Sequence, residues 1–260
     1  MTGKKPDLLA IDIGNTNLTV GLFQGSELTE HWRLSTDHKR MQDEYGLQFL
    51  NLLENRGISP INFSGIVLSS VIPPLTERVV QACDVYLGKT PVIISSDLKL
   101  NVKIRYDDPS AVGADRIADA VATTALFSIP ACVIDFGTAT TFNAINKADE
   151  YLGGAILPGI GLSAEVLFER TAKLPSVELS APPSIIGTNT RHAMQSGLIY
   201  GYVALVEGMV MRFKQILGNE AVVIATGGHV HHISNYTDVI DHIKPWLTLE
   251  GMRIIWEMNR

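Results

Sequence analysis

Two short runs in the sequence carry a carboxylate into a tight turn: Ile11-Asp12-Ile13-Gly14-Asn15-Thr16 and Ile134-Asp135-Phe136-Gly137-Thr138-Ala139. In each, a β-type apolar run ends at the Asp and another β-type run follows the turn. A glycine lets the backbone come close to an anion, successive N–H groups around such a turn form an anion-binding nest, and the Asp can orient Mg²⁺ or its waters. The chemistry implied is the handling of a metal-bound phosphate, with Asn15, Thr16 and Thr19 as further donors. One Asp-x-Gly turn between two strands is ordinary. Two copies in matched contexts, with a third Gly-rich turn at Ala225-Thr226-Gly227-Gly228, favour a phosphate site.

A second constellation is Gly113-Ala114-Asp115-Arg116, which follows Tyr106-Asp107-Asp108-Pro109-Ser110 and opens an apolar helical pattern. Asp at a helix start is favoured by capping and by the dipole. It also suits a general base for a substrate hydroxyl, with Arg116 pairing an anionic group and Asp119 one turn further on. Residue types alone leave both readings open. The cluster His229-Val230-His231-His232 has no Cys, Asp or Glu at zinc-ligand spacing and reads as an exposed polar loop. Cys83 and Cys132 read as buried small hydrophobes, and Trp32, Trp246 and Trp256 as packing anchors.

The elements that must position these groups are of two kinds. Short β-type runs recur at Leu8 to Ile13, Leu18 to Phe23, Gly65 to Val71, Pro91 to Ser95, Ala131 to Phe136, Thr141 to Ile145 and Ala221 to Ala225, with helix-period segments between them. The class is therefore α/β. Gly113 to Phe127 places Ala114, Ile117, Ala118, Val121, Ala122 and Ala125 on one helical face. A second helix is expected from about Arg191 to Leu217. Its Gly197, Gly201 and Gly208 each cost about 1 kcal/mol relative to Ala, which predicts another backbone packed close against them. The repeated Asp-turn implies two similar halves, residues 1–122 and 123–260, and Leu174 to Pro183 reads as a Pro-rich loop.

The chain has 260 residues, with 21 Lys plus Arg against 27 Asp plus Glu and a net charge of -6. A chain of this length makes one or two domains and buries roughly three quarters of its unfolded surface. No basic block marks a nucleic-acid footprint. No stretch reaches the roughly 18 apolar residues of a membrane span, and the N-terminus, broken early by Asp12, offers no signal-peptide core. Two cysteines far apart in sequence fit a reducing, cytoplasmic setting.

Taken in order, Asp12-x-Gly-Asn-Thr, the Tyr106 to Arg116 segment, Asp135-Phe-Gly-Thr-Ala-Thr, Gly153-Gly154, Pro158-Gly159, Arg170 to Pro175, Gly187-Thr-Asn-Thr190, Thr226-Gly227-Gly228 and Leu247 to Gly251 span almost the whole chain. This array resembles type III pantothenate kinase. The resemblance implies the duplicated ribonuclease H-like fold of actin-like ATPases, two similar halves with mixed sheets flanked by helices. It implies ATP-dependent phosphorylation of pantothenate to 4'-phosphopantothenate, the first step of coenzyme A biosynthesis. By matching position, Asp12, Ile13, Gly14, Asn15, Thr16, Asn17, Leu18 and Thr19 line the ATP phosphates, and Thr138 also contacts the nucleotide. Asp115 is the base. Tyr106, Gly113, Ala114, Asp115 and Arg116 contact pantothenate, and Thr190 reaches it from the partner subunit of a homodimer with a shared active site. Asp135 holds a monovalent cation, K⁺ or NH₄⁺, and Mg²⁺ accompanies ATP. Two positions depart from the family pattern: Thr188, where Lys is frequent, and His229, where a small apolar residue is usual.

Two other functions fit the same fold. A polyphosphate or nucleotide phosphatase would pass phosphate to water and ignore pantothenate. A regulatory protein without activity would not need carboxylates at all three of Asp12, Asp115 and Asp135.

Overall fold

The structure is a computed structural model that describes residues 8–59 and 63–260. The extreme N-terminus, residues 1–7, read above for a signal peptide, lies outside the described residues. Two compact units are present. The first comprises the described residues as far as Asn101, together with Asp107–Ala122 and Thr248–Arg260; the second comprises Val102–Tyr106 and Thr123–Leu247.

In the first unit, β1 (Leu8–Ile13), β2 (Asn17–Gln24) and β3 (Glu27–Ser35) form an antiparallel meander. On the other side of β1, β4 (Gly65–Ser70) and then β5 (Val92–Ile93) pair in parallel, giving the order β3-β2-β1-β4-β5. In the second unit, β7 (Ala131–Phe136), β8 (Ala139–Ile145) and β9 (Glu150–Pro158) repeat the meander, and β10 (Val222–Thr226) and β11 (His242–Ile243) repeat the parallel side. The order is β11-β10-β7-β8-β9, with the two-residue β6 (Lys103–Ile104) added beside β9. Even the register shift recurs, at Leu22/Phe23 and at Ala144/Ile145. The repeat expected from the two Asp-turns is thus a repeat of strand order and strand sense.

The central strands β1 and β7 read as continuous apolar runs because both faces are covered. On one face of the first sheet, α1 (Gln42–Glu54) and α2 (Pro73–Ala82) enclose a core of Leu9, Ile11, Ile13, Tyr45, Phe49 and Val79. On the other lies α7 (Leu247–Asn259), which comes so close that a Cβ on Gly65 would enter the Trp256 indole and one on Gly251 would enter the Ala118 carbonyl. Ala118 belongs to α3 (Ala114–Leu126), whose buried Asp119 accepts a 2.8 Å hydrogen bond from the Thr248 hydroxyl. In the second unit, α5 (Thr190–Leu217) covers β7 and β8 through Ile199, Tyr202, Val203 and Val206, joined by α4 (Ile160–Glu169) and the short α6 (Val230–Ser234).

Several local expectations change. Gly153-Gly154 and Pro158, given no secondary structure above, lie in strand β9. The His cluster is a helical turn, not a loop, and the His229 Nε2 lies 3.1 Å from where a Cβ on Gly161 would be. A Cβ at Gly197, Gly201 or Gly208 would meet only open space. The close packing expected there is therefore not made by the described residues of this chain. Cys83 and Cys132 are buried, and burial pushes both thiols up to about 12. Trp32 and Trp256 pack on apolar residues as anticipated. Among the described residues no helix is long and apolar enough to cross a membrane.

Candidate active site

Within the first unit, β1 delivers Asp12 to the middle of the sheet, opposite Thr19 on β2 and Ser69 on β4. The turn that follows closes with the Gly14 N–H donating to the Asn17 carbonyl at 3.0 Å. A Cβ on Gly14 would stand only 3.1 Å from that oxygen, so a bare residue suits the bend. Asn15, Thr16 and Asn17 are exposed at its tip, whereas Ile13 and Leu18 are core residues. Those last two can serve a ligand only through their backbone.

Asp115 stands in the first turn of α3. The approach is built by Asp108, whose carboxylate accepts from the Ser110 N–H at 3.0 Å and the Ser110 hydroxyl at 2.6 Å, setting a 3₁₀ turn over Pro109–Ala111. Gly113 then places its carbonyl to receive the Ile117 N–H at 3.1 Å. The Asp115 Oδ1 folds back to accept its neighbour's Arg116 N–H at 2.8 Å and lies 2.5 Å from where a Gly113 Cβ would be. Arg116 itself is 7% exposed.

Asp12 and Asp115 feel one another. Burial pushes the Asp12 carboxyl up to about 7, the charge of Asp115 pushes the same way, and the Ser69 hydroxyl opposes them. Burial also raises Asp115, against hydrogen bonding and the guanidinium of Arg116. A carboxylate raised by desolvation is a better proton acceptor than one in water. Ser69 was not among the expected site residues. Its signal was the hydroxyl pair Ser69-Ser70 ending an apolar run, a strand end that parallel pairing brings beside Asp12.

In the second unit, Asp135 occupies the matching place on β7, between Thr141 on β8 and Thr226 on β10. The Gly137 N–H closes its turn on the Ala139 carbonyl at 3.1 Å. Two other glycines hem this turn in. A Cβ on Gly159 would approach the Gly137 carbonyl at 2.5 Å, and one on Gly227, whose φ is +93°, would strike the Asp135 carboxylate and lie 2.6 Å from the Phe136 backbone. Thr138 lies within this turn. Tyr106 packs on Tyr151 with ring centroids 6.4 Å apart and fills the space left by Gly153, which has a φ of +106°. The Tyr151 hydroxyl donates to Asn143 Oδ1 at 3.0 Å, and Asn143 Nδ2 donates to the Thr141 hydroxyl at 3.0 Å, a buried chain ending beside Asp135.

Thr190 opens α5 behind its cap Asn189, whose side chain accepts the His192 N–H at 2.9 Å. It borders an open depression of about 670 Å³ lined by Leu167, Leu174, Thr188, Asn189, Met194 and Leu198. The expected residues thus fall into an Asp12 and Asp115 group in the first unit, and into Asp135, Tyr106 and Thr190 positions in the second.

For a divalent ion, the donors in place are hard oxygens: the Asp12 carboxylate with the hydroxyls of Ser69 and Thr19 opposite it in register. Among the described residues no three His, Cys, Asp or Glu side chains are grouped to hold a metal. The set suits an ion that brings phosphate and water oxygens with it.

The sequence profile of type III pantothenate kinases matches residues 8–212. A type III pantothenate kinase of Moorella thermoacetica is 47% identical over 252 residues, 97% of this chain and 99% of that protein. Among solved structures, a Campylobacter jejuni protein described as a Baf family transcriptional activator superposes with a TM-score of 0.59 at 22% identity, covering 96% of this chain and 97% of its own. Component A of (R)-2-hydroxyglutaryl-CoA dehydratase from Acidaminococcus fermentans gives 0.56 at 11% identity, with 96% of each chain covered. An inorganic polyphosphate/ATP-glucomannokinase of Arthrobacter sp. strain KM gives 0.50 at 14%, covering 97% and 99%. These structures share the fold, the duplicated α/β architecture of actin-like ATPases and sugar kinases.

Proposed function

The chain belongs to the type III pantothenate kinase family and phosphorylates pantothenate with ATP in coenzyme A biosynthesis; from this premise we propose how its own residues divide the work. The turn from Asp12 to Thr19 binds the ATP phosphates, and Thr138 of the second turn contacts the nucleotide. Tyr106 and Gly113 to Arg116 hold pantothenate, Arg116 pairing with its carboxylate. Asp115 accepts the proton of the primary hydroxyl as that oxygen attacks the γ-phosphorus. The new O–P bond forms as the bond to the bridging oxygen breaks, and ADP leaves with the bridging electrons. Phosphoryl transfer asks little covalent chemistry of a protein and much positioning. Mg²⁺, held with ATP beside Asp12, supplies charge neutralisation on the phosphates.

The observation that carries this reading is the family match over residues 8–212 together with the placement of Asp12 on β1 and Asp115 in the first turn of α3 within one unit, and burial raises both carboxyls. ADP release measured with and without pantothenate tests it. Wild-type release depends on pantothenate, and Asp115→Asn loses about 10²- to 10⁴-fold in turnover while still binding ATP. Release indifferent to pantothenate, or a variant keeping a tenth of the activity, overturns it.

Asp135 is assigned a monovalent cation, K⁺ or NH₄⁺, in a shell completed by hydroxyl and carbonyl oxygens. Support comes from its flanking Thr141 and Thr226 and from the bare Gly227 against its carboxylate. We further assign a homodimer with a shared active site. Gly197, Gly201 and Gly208 face space that the described residues leave open, Leu162, Val166, Phe168, Ile185 and Ile186 are exposed nearby in sequence, and Thr190 lies between these two sets. The setting is cytoplasmic.

A further inference from the structure

The loop between β3 and α1 is polar, Thr36-Asp37-His38-Lys39-Arg40, yet it is fastened at nearly every residue. The buried Tyr45 donates its hydroxyl to the Asp37 carbonyl at 3.0 Å. Arg78 of α2 donates through one Nη1 to the carbonyls of His38, at 2.9 Å, and Arg40, at 3.1 Å. Asp37 ties the loop to itself, its carboxylate accepting the Lys39 N–H at 2.9 Å. Against this fixed strap stands the turn after β1. The Thr36 N–H donates to the Thr16 carbonyl at 2.9 Å, extending the β2 and β3 ladder by one rung. The Thr36 hydroxyl donates to the Gly14 carbonyl at 2.7 Å.

We propose that Thr36 is a positioning residue for nucleotide binding, holding the Gly14 and Thr16 carbonyls toward the strap so that the exposed tip of the turn meets the phosphates in a fixed shape. The physical case is one of sign and of entropy. A carbonyl oxygen that swings toward a phosphate repels it, and a turn centred on a glycine has more freedom to swing than any other. The ladder N–H restrains Thr16 alone. The hydroxyl holds the carbonyl of Gly14, the residue at which the backbone bends, whose N–H is already engaged by the Asn17 carbonyl at 3.0 Å. The strap gives that restraint a rigid base in two helices, α1 through Tyr45 and α2 through Arg78, so the restraint is worth more than a hydrogen bond to a mobile loop.

This inference rests on the assignment of Asp12 to Thr19 to ATP, so the experiment carries a variant for each. KM for Mg·ATP, KM for pantothenate and kcat are measured for wild type, Thr36→Val, Thr36→Ser and Asp12→Asn, with melting temperatures alongside. Removing one hydrogen bond of ordinary strength in Thr36→Val raises KM for Mg·ATP about three- to tenfold, with KM for pantothenate within twofold of wild type. Thr36→Ser keeps the hydroxyl and returns KM for Mg·ATP to within twofold. A purely structural Thr36 would lower the melting temperature or the active fraction and leave KM for Mg·ATP where it was, which overturns the inference. So does Thr36→Ser losing as much as Thr36→Val, since the methyl group would then be what matters. If Thr36→Val does not fold, Thr36→Ala, which removes the same hydroxyl, stands in its place under the same criteria. If Asp12→Asn also leaves Mg·ATP binding unchanged, the phosphate assignment of the turn has failed first. If Asp12→Asn weakens it and Thr36→Val does not, the inference about Thr36 alone is wrong.

Discussion

Gly113→Ala is the most discriminating single change the structure offers, because it moves the carboxylate proposed as the base and little else. Gly113 does not adopt a left-handed conformation, so the backbone accepts alanine without strain. Alanine is a poorer residue than glycine just before a helix, a cost of about 1 kcal/mol, which for a chain of this size is about 2 to 4 °C in melting temperature. The new Cβ would lie 2.5 Å from Asp115 Oδ1, where ordinary contact begins at 3.4 Å, and 3.6 Å from Val71 Cγ1, an ordinary contact. The carboxylate oxygen must therefore retreat by about 1 Å and give up part of its 2.8 Å bond from the Arg116 N–H. A displacement of that size at a reacting group costs roughly 10²-fold in rate. Coupled ADP-release kinetics should show kcat falling by about that factor. In an Asp115→Asn background the same substitution should cost almost nothing more, since the group it displaces is already inert. A kcat for Gly113→Ala within threefold of wild type, or losses that multiply in the double variant, would refute the placement of Asp115 as base.

Three further outcomes are expected. The Asp12 carboxyl, pushed by burial up to about 7 in the folded chain against about 3.9 in an unfolded one, binds more protons folded than unfolded between those values, so it makes the ligand-free protein less stable as pH rises from about 4 to 7; Asp12→Asn should melt progressively higher than wild type across that window, and parallel melting curves would contradict the shift. Activity should be high in KCl or NH₄Cl and low in NaCl at equal ionic strength, with Asp135→Ala insensitive to the choice; equal wild-type rates in all three salts would remove the cation from Asp135. Gly201→Leu, filling space that one chain leaves open, should shift sedimentation toward monomer and lower activity with it, at an overpacking cost of about 1 to 3 kcal/mol; a fully active monomer would exclude the shared site.

What the sequence made legible was local. The matched Asp-turns announced two like halves because each turn is encoded by contiguous residues, and the structure repeats strand order around both. The α3 face was readable because alanines and β-branched residues recur at helical spacing. Strand β9 was hidden by the glycines and proline that puncture it: Gly153 there is bare to admit the Tyr106 ring, a reason that lies more than forty residues away. Thr36 carried no signal either, since its partners at Gly14 and Thr16 are reached only after β2 and β3 have folded back. The glycines of α5 suggested a close neighbour, and the described residues supply none at those positions. The proposed dimer would place their explanation outside any single chain's fold.

The docking of α7 has a consequence for synthesis. Its seat lies on strands and on a helix made early, at Gly21, Gly65 and Ala118, but α7 itself is translated only after Thr123–Leu247. At roughly 5 to 20 residues per second, those 125 or so residues take ~6 to 25 s. For that interval the first sheet can close its α1 and α2 side while the side that Trp256 and Leu249 will cover stays bare. The second unit, contiguous apart from a five-residue strand segment, can finish first. A nascent chain of this protein thus presents an apolar sheet face to chaperones for seconds, and slowing translation within Thr123–Leu247 should lengthen that exposure, readable as increased chaperone capture on the ribosome.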